Sequence, residues 1–126
     1  MEMKTIQTDK APAAIGPYSQ AKVVGGMLYT SGQIPLDPKS GEVVGDNIET
    51  QTERVMQNMA AVLEAANADF SNVVKTTCFL TDMANFAVFN GIYEKYFTSK
   101  PARSCVAVKQ LPKGVLVEVE VVACCG

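Results

Sequence analysis

The chain has 126 residues, 48% of them hydrophobic, and its 11 basic and 13 acidic side chains give a net charge of -2. This length is typical of a single domain with its own core, and the basic residues are too scattered for nucleic-acid binding. The sequence contains no histidine, so an imidazole base and most zinc or non-haem iron sites are not expected.

The lack of a recognisable targeting signal and the spacing of the cysteines both indicate a reducing cellular compartment. The N-terminus lacks the apolar segment of a signal peptide, and no run approaches the roughly 20 apolar residues of a membrane span. No pair among Cys78, Cys105, Cys124 and Cys125 has the Cys-x-x-Cys spacing, so neither a disulfide framework nor a zinc knuckle is indicated. We therefore expect a cytoplasmic protein with reduced thiols and no metal.

The N-terminal part of the chain predicts strands separated by turns. A short strand is expected over residues 4–8, followed by a loop over residues 11–19 that is rich in Ala, Pro and Gly. Residues 21–24 and 27–31 flank Gly25-Gly26, which is typical of a two-residue hairpin turn. The two strands are therefore predicted to be antiparallel.

A first helix is predicted over residues 50–66, because apolar side chains recur on one face at helical spacing. Two residues are candidates for its N-cap. Either Asn47 caps the helix, or Thr50 does so in a capping box with Glu53.

A strand is predicted over residues 73–80 and a second helix over residues 85–98. Asn90 lies one helical turn from both Phe86 and Tyr93, so a polar amide interrupts an otherwise apolar face.

Residues 103–109 and 115–124 predict two final strands, and the turn chemistry of residues 110–114 predicts that they form a hairpin. The element order indicates a two-layer α+β sandwich with two helices on one face of a mostly antiparallel sheet. Side chains of the last strand are apolar on one face and mixed on the other, so we expect the second face to pack against another subunit.

The predicted final hairpin would bring Arg103, Cys105, Glu118 and Glu120 onto one half-buried surface. Its register would place Cys105 opposite Glu118 and Arg103 opposite Glu120. The cluster could be a cross-strand salt bridge or a binding site. A guanidinium is suited to binding a planar carboxylate. A second carboxyl in a poorly solvated position has a raised pKa, which brings it closer to the range useful for acid–base catalysis.

The strand over residues 27–31 ends at Ser31-Gly32. Gly32 could mark an ordinary bulge, or it could let backbone N–H groups approach a ligand closely.

Four segments together resemble the Rid (YjgF) family of enamine/imine deaminases: APAAIGPYSQ at 11–20, TSGQIP at 30–35, PARSC at 101–105, and LPKG at 111–114 with VEVE at 117–120. The resemblance covers essentially the whole chain. It implies a single domain over residues 1–126 with a chorismate-mutase-like fold. It also implies a homotrimer with a ligand cleft at each subunit interface.

The resemblance further implies hydrolysis of 2-aminoacrylate-type enamines and 2-imino acids, shed by pyridoxal-phosphate dehydratases, to 2-keto acids and ammonia. No cofactor and no metal are implied. Arg103 matches the residue that grips the substrate carboxylate, and Glu118 matches the residue that positions water. The matching pocket positions are Tyr18, Ser31, Gly32, Asn90 and Cys105. Glu120 receives no catalytic task.

Two other functions remain open at this stage. Family members have been described as translation-inhibiting ribonucleases, but a pI near 5.1 and the lack of a basic groove do not favour RNA cleavage. A non-catalytic sensor of small keto or amino acids could use the same cleft. A pure binder, however, needs no second acid beside the anion that it holds.

Overall fold

The structure, a computed structural model that describes residues 2–125, is built on a six-stranded mixed sheet covered on one face by two helices. The strands follow the order β1-β2-β3-β6-β4-β5, and every pair is antiparallel except β4 and β5. The bounds are β1 (Met3–Ile6), β2 (Ala21–Val24), β3 (Met27–Thr30), α1 (Ile48–Ala65), β4 (Val73–Leu80), α2 (Phe86–Tyr96), β5 (Ala102–Ala107) and β6 (Val117–Cys124). The predicted α+β sandwich is confirmed.

The first helix begins where a side chain can accept one of its free N–H groups. Asn47 is the N-cap, and its Oδ1 accepts a hydrogen bond from the Thr50 amide at 2.8 Å. Of the two predicted caps the structure therefore selects Asn47, and the capping box at Thr50 is wrong. Val55, Met59 and Val62 are fully buried against the sheet, as the spacing predicted.

The predicted final hairpin is wrong. β5 pairs with β4 alone, in parallel and at the edge of the sheet, while β6 lies between β3 and β4. The reason is burial: alternate residues of β6 (Val117, Val119 and Val121) are at most 2% exposed, whereas all of β5 except Cys105 is exposed. An apolar strand gains more from a central position, and a polar strand tolerates an edge.

The turn predicted at residues 110–114 is present, but the strands that it joins, β5 and β6, do not pair with each other. Pro112–Gly114 forms one turn of 3-10 helix. The amide of Val108 donates to the Leu80 carbonyl at 2.8 Å, and the amide of Thr81 donates to the Leu116 carbonyl at 3.2 Å. The chain therefore passes the end of β4 from one side to the other, and β5 and β6 are not neighbours.

This topology separates the predicted charged cluster. Arg103 and Cys105 lie opposite Thr76 and Cys78 on the face covered by the helices. Glu118 and Glu120 instead lie opposite Phe79 and Thr77 on the open face. The prediction that these four side chains share one surface of one chain is therefore wrong.

The open face carries large apolar side chains. Tyr29 and Val106 are 47% and 45% exposed, and Phe79 and Val122 are half-buried. Within residues 2–125 no second layer covers these side chains. An apolar face of this kind is typical of a surface that packs against another subunit, and the homotrimer stays a prediction.

Asn58 joins helix α1 to the segment that follows β3. Its side chain is fully buried, and its Nδ2 donates to the carbonyls of Ile34 and Leu36, both at 3.0 Å. Its Oδ1 accepts from Arg54. A buried amide that satisfies all its groups in this way fixes one loop geometry.

We predict that Asn58→Ala lowers the free energy of unfolding by about 2–4 kcal/mol, because the buried Leu36 carbonyl loses its donor, the Ile34 carbonyl loses one of two donors, and Arg54 loses its acceptor. Chemical denaturation measures the change. Gln57→Ala, at the exposed neighbouring position of the same helix, is the control and should stay within about 0.5 kcal/mol of the parent. Equal effects of the two substitutions would contradict the assigned role of Asn58.

Candidate active site

Arg103 is held in place by helix α2. Its Nη1 donates to Asn90 Oδ1 at 2.7 Å, and its Cζ lies 4.7 Å from the ring centroid of Tyr93 and 5.5 Å from that of Phe86. The amide that interrupts the apolar face of the second predicted helix thus finds its partner. A guanidinium stacked on aromatic rings and bonded on one side keeps its remaining N–H donors for a ligand.

The aromatic platform is itself fixed. The hydroxyl groups of Tyr93 and Thr76 lie 2.8 Å apart in a buried hydrogen bond, and Tyr93 stacks on Phe97 with centroids 4.4 Å apart. Arg103 and Asn90 line a cavity of about 410 Å³ with Tyr93 and Lys100. Lys100 therefore lies at the rim of the arginine site.

Cys105 lies next to this arginine as a neutral thiol. Burial raises the pKa of Cys105, and only the charge of Arg103 opposes that rise. Burial raises the pKa of Cys78, its partner across the strands, to about 12. Both thiols stay protonated at neutral pH, so Cys105 is suited to form a pocket wall and poorly suited to act as a nucleophile.

Glu118 and Gly32 are in direct contact on the other face of the sheet. A Cβ atom at Gly32 would overlap the Glu118 carboxyl group, so the missing side chain leaves room for that group. The pairs Tyr29–Val122 and Gln33–Val119 show that residues 30–32 face only residues 120–121, which is a bulge. Gly32 therefore lies in a bulge, and the absence of a side chain there makes room for the Glu118 carboxyl.

The environment of Glu118 favours its neutral form. Partial burial raises the pKa of this carboxyl, and the nearby charge of Glu120 raises it further. A carboxyl with a raised pKa is a stronger base when ionised and gives up its proton at a higher pH than an ordinary glutamate.

Ser31 and Tyr18 are connected to the Glu118 region through the loop before β2. The Ser31 hydroxyl donates to the Ser19 carbonyl at 2.6 Å, and the Ser31 amide donates to the Gln20 carbonyl at 2.9 Å. Tyr18 immediately precedes Ser19 in the same loop, and its side chain is 54% exposed. Its ring is therefore free to contact a ligand or a second subunit.

Gln20 anchors this loop, a role for which its sequence neighbourhood carries no signal. Its side chain is 3% exposed, its Nε2 donates to the carbonyls of Thr8 and Pro12 at 3.0 and 2.8 Å, and its Oε1 accepts from the Thr8 amide at 2.7 Å. The contact of Phe86 and Tyr93 with Arg103 is a further feature that the sequence analysis does not predict. The signal that could have revealed it is their spacing around Asn90 on one helix face.

The predicted site residues therefore fall into two groups. Arg103, Asn90 and Cys105 lie together on the helix side of β5, and Glu118 and Gly32 lie together on the open face, with Ser31 and Tyr18 connected to them. The strand β4 separates the groups. One chain alone does not present both Arg103 and Glu118 to one small substrate.

Neither helix in residues 2–125 has the length and apolar character needed to cross a membrane. The same residues bring together no group of three or more His, Cys, Asp or Glu side chains that could hold a metal ion. The groups that they do offer at the candidate site are a guanidinium, a carboxyl, an amide and hydroxyls.

Comparison with known proteins gives relatives over nearly the full length. The chain is 60% identical over 122 residues to a protein of Lactococcus lactis named as a regulator, AldR, covering 96% of this chain and 97% of that protein. It is 48% identical over 124 residues to the 2-iminobutanoate/2-iminopropanoate deaminase of Salmonella typhimurium, covering 95% and 96% of the two chains.

Solved structures agree with the fold. YyfA from Yersinia pestis, described as a member of the conserved Rid protein family, is 49% identical with a TM-score of 0.95, covering 98% of this chain and 99% of that chain. E. coli TdcF, solved with bound serine, is 39% identical with a TM-score of 0.92, covering 98% and 99%.

The family match extends beyond individual relatives. Residues 8–125 match the family described as Endoribonuclease L-PSP, and this range includes every candidate site residue. The matched range, the full-length relatives and the shared fold agree with one another. The chain belongs to the Endoribonuclease L-PSP family, which is the YjgF/Rid family.

Proposed function

We propose that the protein hydrolyses 2-aminoacrylate-type enamines and their 2-imino-acid tautomers to 2-keto acids and ammonia. The observation that carries the proposal is the guanidinium of Arg103, oriented by Asn90 and Tyr93 with donors left for a ligand. The deaminase relative and the serine-bound neighbour support a small substrate with a carboxylate. The reaction requires neither a cofactor nor a metal, and pyridoxal-phosphate dehydratases would supply the substrate.

Arg103 binds the substrate carboxylate through two parallel hydrogen bonds. The bound carboxylate fixes the position of the neighbouring imine carbon, which is already electrophilic. Holding the reacting groups at this geometry is itself a large part of the catalysis. Tyr18, Ser31 and Gly32 border the other side of the pocket, and Cys105 provides a neutral wall beside the arginine.

Glu118 supplies the proton transfers. Its carboxylate accepts a proton from water as the water oxygen attacks the imine carbon, and the C=N bond becomes a single bond. That proton passes to the nitrogen and gives a carbinolamine. The carboxylate then takes the hydroxyl proton and delivers it to the amino group, so the C=O bond forms as the C–N bond breaks and ammonia leaves the 2-keto acid. The raised pKa of Glu118 makes it effective in both transfers.

The site is shared between subunits of a homotrimer in this proposal. Arg103 and Glu118 lie on opposite faces of one sheet, so a substrate that contacts both must sit between two chains. The apolar open face, with Tyr29 and Val106 exposed, supplies the surface that a neighbour would cover. Asn90 belongs to the same chain as the Arg103 that it orients, so each subunit would contribute this pair to the shared site together.

Sensing of a small amino or keto acid is the second candidate, and the relative named as a regulator favours it. Both functions would use the carboxylate grip of Arg103. Only hydrolysis needs the carboxyl of Glu118 beside a bound anion, so Glu118 variants separate the two functions.

We predict that Arg103→Lys lowers kcat/KM at least tenfold, because one ammonium cannot form the paired hydrogen bonds of a guanidinium. The assay generates 2-aminoacrylate with a dehydratase and measures the rate of keto-acid release. Lys95→Arg, at an exposed position in the last turn of α2, is the control and should keep the parent rate. A full rate with Arg103→Lys would remove the bidentate contact from the mechanism.

We predict that Glu118→Gln lowers kcat about a hundredfold or more while binding of a 2-keto acid is retained, because the amide keeps the shape but cannot accept a proton. In the parent protein the carboxylate must be ionised. Turnover should therefore fall as pH decreases through the pKa of Glu118, and because that pKa is raised, the fall should begin above the range of an ordinary glutamate.

Product titration by calorimetry and a pH profile of kcat measure these two effects. Glu120→Gln is the matched control and should leave turnover within a few-fold of the parent. Parallel loss of binding and turnover in Glu118→Gln would assign Glu118 to the architecture of the pocket.

We predict that inactive Arg103→Ala and Glu118→Ala proteins regain activity when their subunits are mixed and exchanged. Random pairing gives roughly a quarter of the sites an intact Arg103 from one chain and an intact Glu118 from another. Light scattering should give about three times the 13.5 kDa chain mass. If exchange is verified by mass spectrometry and activity does not return, each chain builds its own site.

A further inference from the structure

A second groove lies on the helix side of the molecule, and its lining contains none of the candidate site residues. It encloses about 680 Å³ and is lined by Asp9, Lys10, Asp37, Pro38, Lys39 and Arg54. The face of α1 that carries Arg54 is turned away from the open face of the sheet. A subunit covering that open face would therefore leave the groove accessible.

Arg54 is oriented within this groove before any ligand binds. Its Nε and Nη2 both donate to Asn58 Oδ1, at 3.0 and 2.8 Å, and Asn58 is in turn fully buried and fixed to two backbone carbonyls. Within residues 2–125 the Nη1 group of Arg54 makes no hydrogen bond. A guanidinium held along one edge presents its other edge at little entropic cost.

Asp37 supplies a fixed negative charge in the same groove. Its Oδ1 accepts the amides of Lys39 and Ser40 at 2.7 and 3.1 Å. These bonds, with smaller help from Arg54, hold the pKa of this carboxyl below its usual range. Among the described residues Arg54 and Asp37 form no ion pair within 4.0 Å, so each charge is available to a ligand.

The charged side chains that line the groove determine which kind of ligand it can bind. Arg54, Lys39 and Lys10 bring positive charge to the lining, and Asp9 and Asp37 bring negative charge; Lys10 also lies 3.5 Å from Glu64 in a solvent-exposed pair. A simple anion would meet two carboxylates, and a simple cation would meet a guanidinium and an ammonium. A molecule that carries both charges close together satisfies the groove.

We propose that this groove binds a free α-amino acid, with its carboxylate on Arg54 and its ammonium on Asp37. The site is independent of the proposed deaminase reaction, whose substrate grip is Arg103. The occupant differs in charge from a keto acid, which lacks the ammonium and would not be held by Asp37.

The test uses the full chain with Arg103→Ala, so that amino-acid binding at the candidate active site does not contribute. Amide NMR shifts are followed during titration with L-alanine, with L-lactate, which has a hydroxyl in place of the ammonium, and with ethylamine, which lacks the carboxylate. L-Alanine should shift signals around Arg54 and Lys39 and should bind about tenfold or more tightly than either analogue.

Two further substitutions in the same background locate the contacts. Asp37→Asn keeps the turn acceptor but removes the charge, so it should weaken L-alanine and leave L-lactate unchanged. Arg54→Gln should weaken both, and Lys4→Gln, at an exposed position on β1, should weaken neither. Equal binding of L-alanine and L-lactate, no shifts at Arg54, or an Asp37→Asn variant with the parent affinity for L-alanine would overturn the proposal.

Discussion

The burial of β6 is the constraint on which the rest of the structure depends. This strand is hydrogen-bonded on both edges, to β3 and β4, and its alternate residues Val117, Val119 and Val121 are almost completely removed from water. Once these valines face the helices, the two-residue period of a strand sends Glu118 to the opposite face. The position of the candidate catalytic carboxyl is thus a consequence of where the valines must go.

The same constraint explains how Arg103 is accommodated. With β6 in the centre, β5 can pair only at the far edge of β4, where a charged side chain can reach water at its tip and still pack its length against Phe86 and Tyr93. A guanidinium at an edge avoids the large cost of full burial. The sheet therefore separates two groups that a hydrolytic mechanism would need together, and a second copy of the chain offers a way to reunite them.

Local patterns in the sequence predicted most of the elements and little of their arrangement. The helical spacing of Val55, Met59 and Val62 and the hairpin at Gly25-Gly26 depend on neighbours along the chain, and both were correctly predicted. The placement of β5 depends on competition between distant strands for central and edge positions, which turn residues such as Pro112 do not encode. For the site, the resemblance supplied the residues, but only the three-dimensional structure shows that Arg103 and Glu118 lie on opposite faces of the sheet. The tasks of Gln20 and Asn58 depend on backbone carbonyls, which carry no trace in the sequence.

The contact between Gly32 and Glu118 has a consequence for how related sequences can diverge. Because the space of a Cβ at position 32 is already occupied by the carboxyl, position 32 cannot gain a side chain while Glu118 keeps its place. A lineage that gained alanine at position 32 would have to shorten or displace the acid at position 118, and with it the group proposed to transfer protons. The two positions should therefore covary among descendants of this fold. A larger residue at position 32 would then mark, from sequence alone, a branch that has given up this use of its carboxyl.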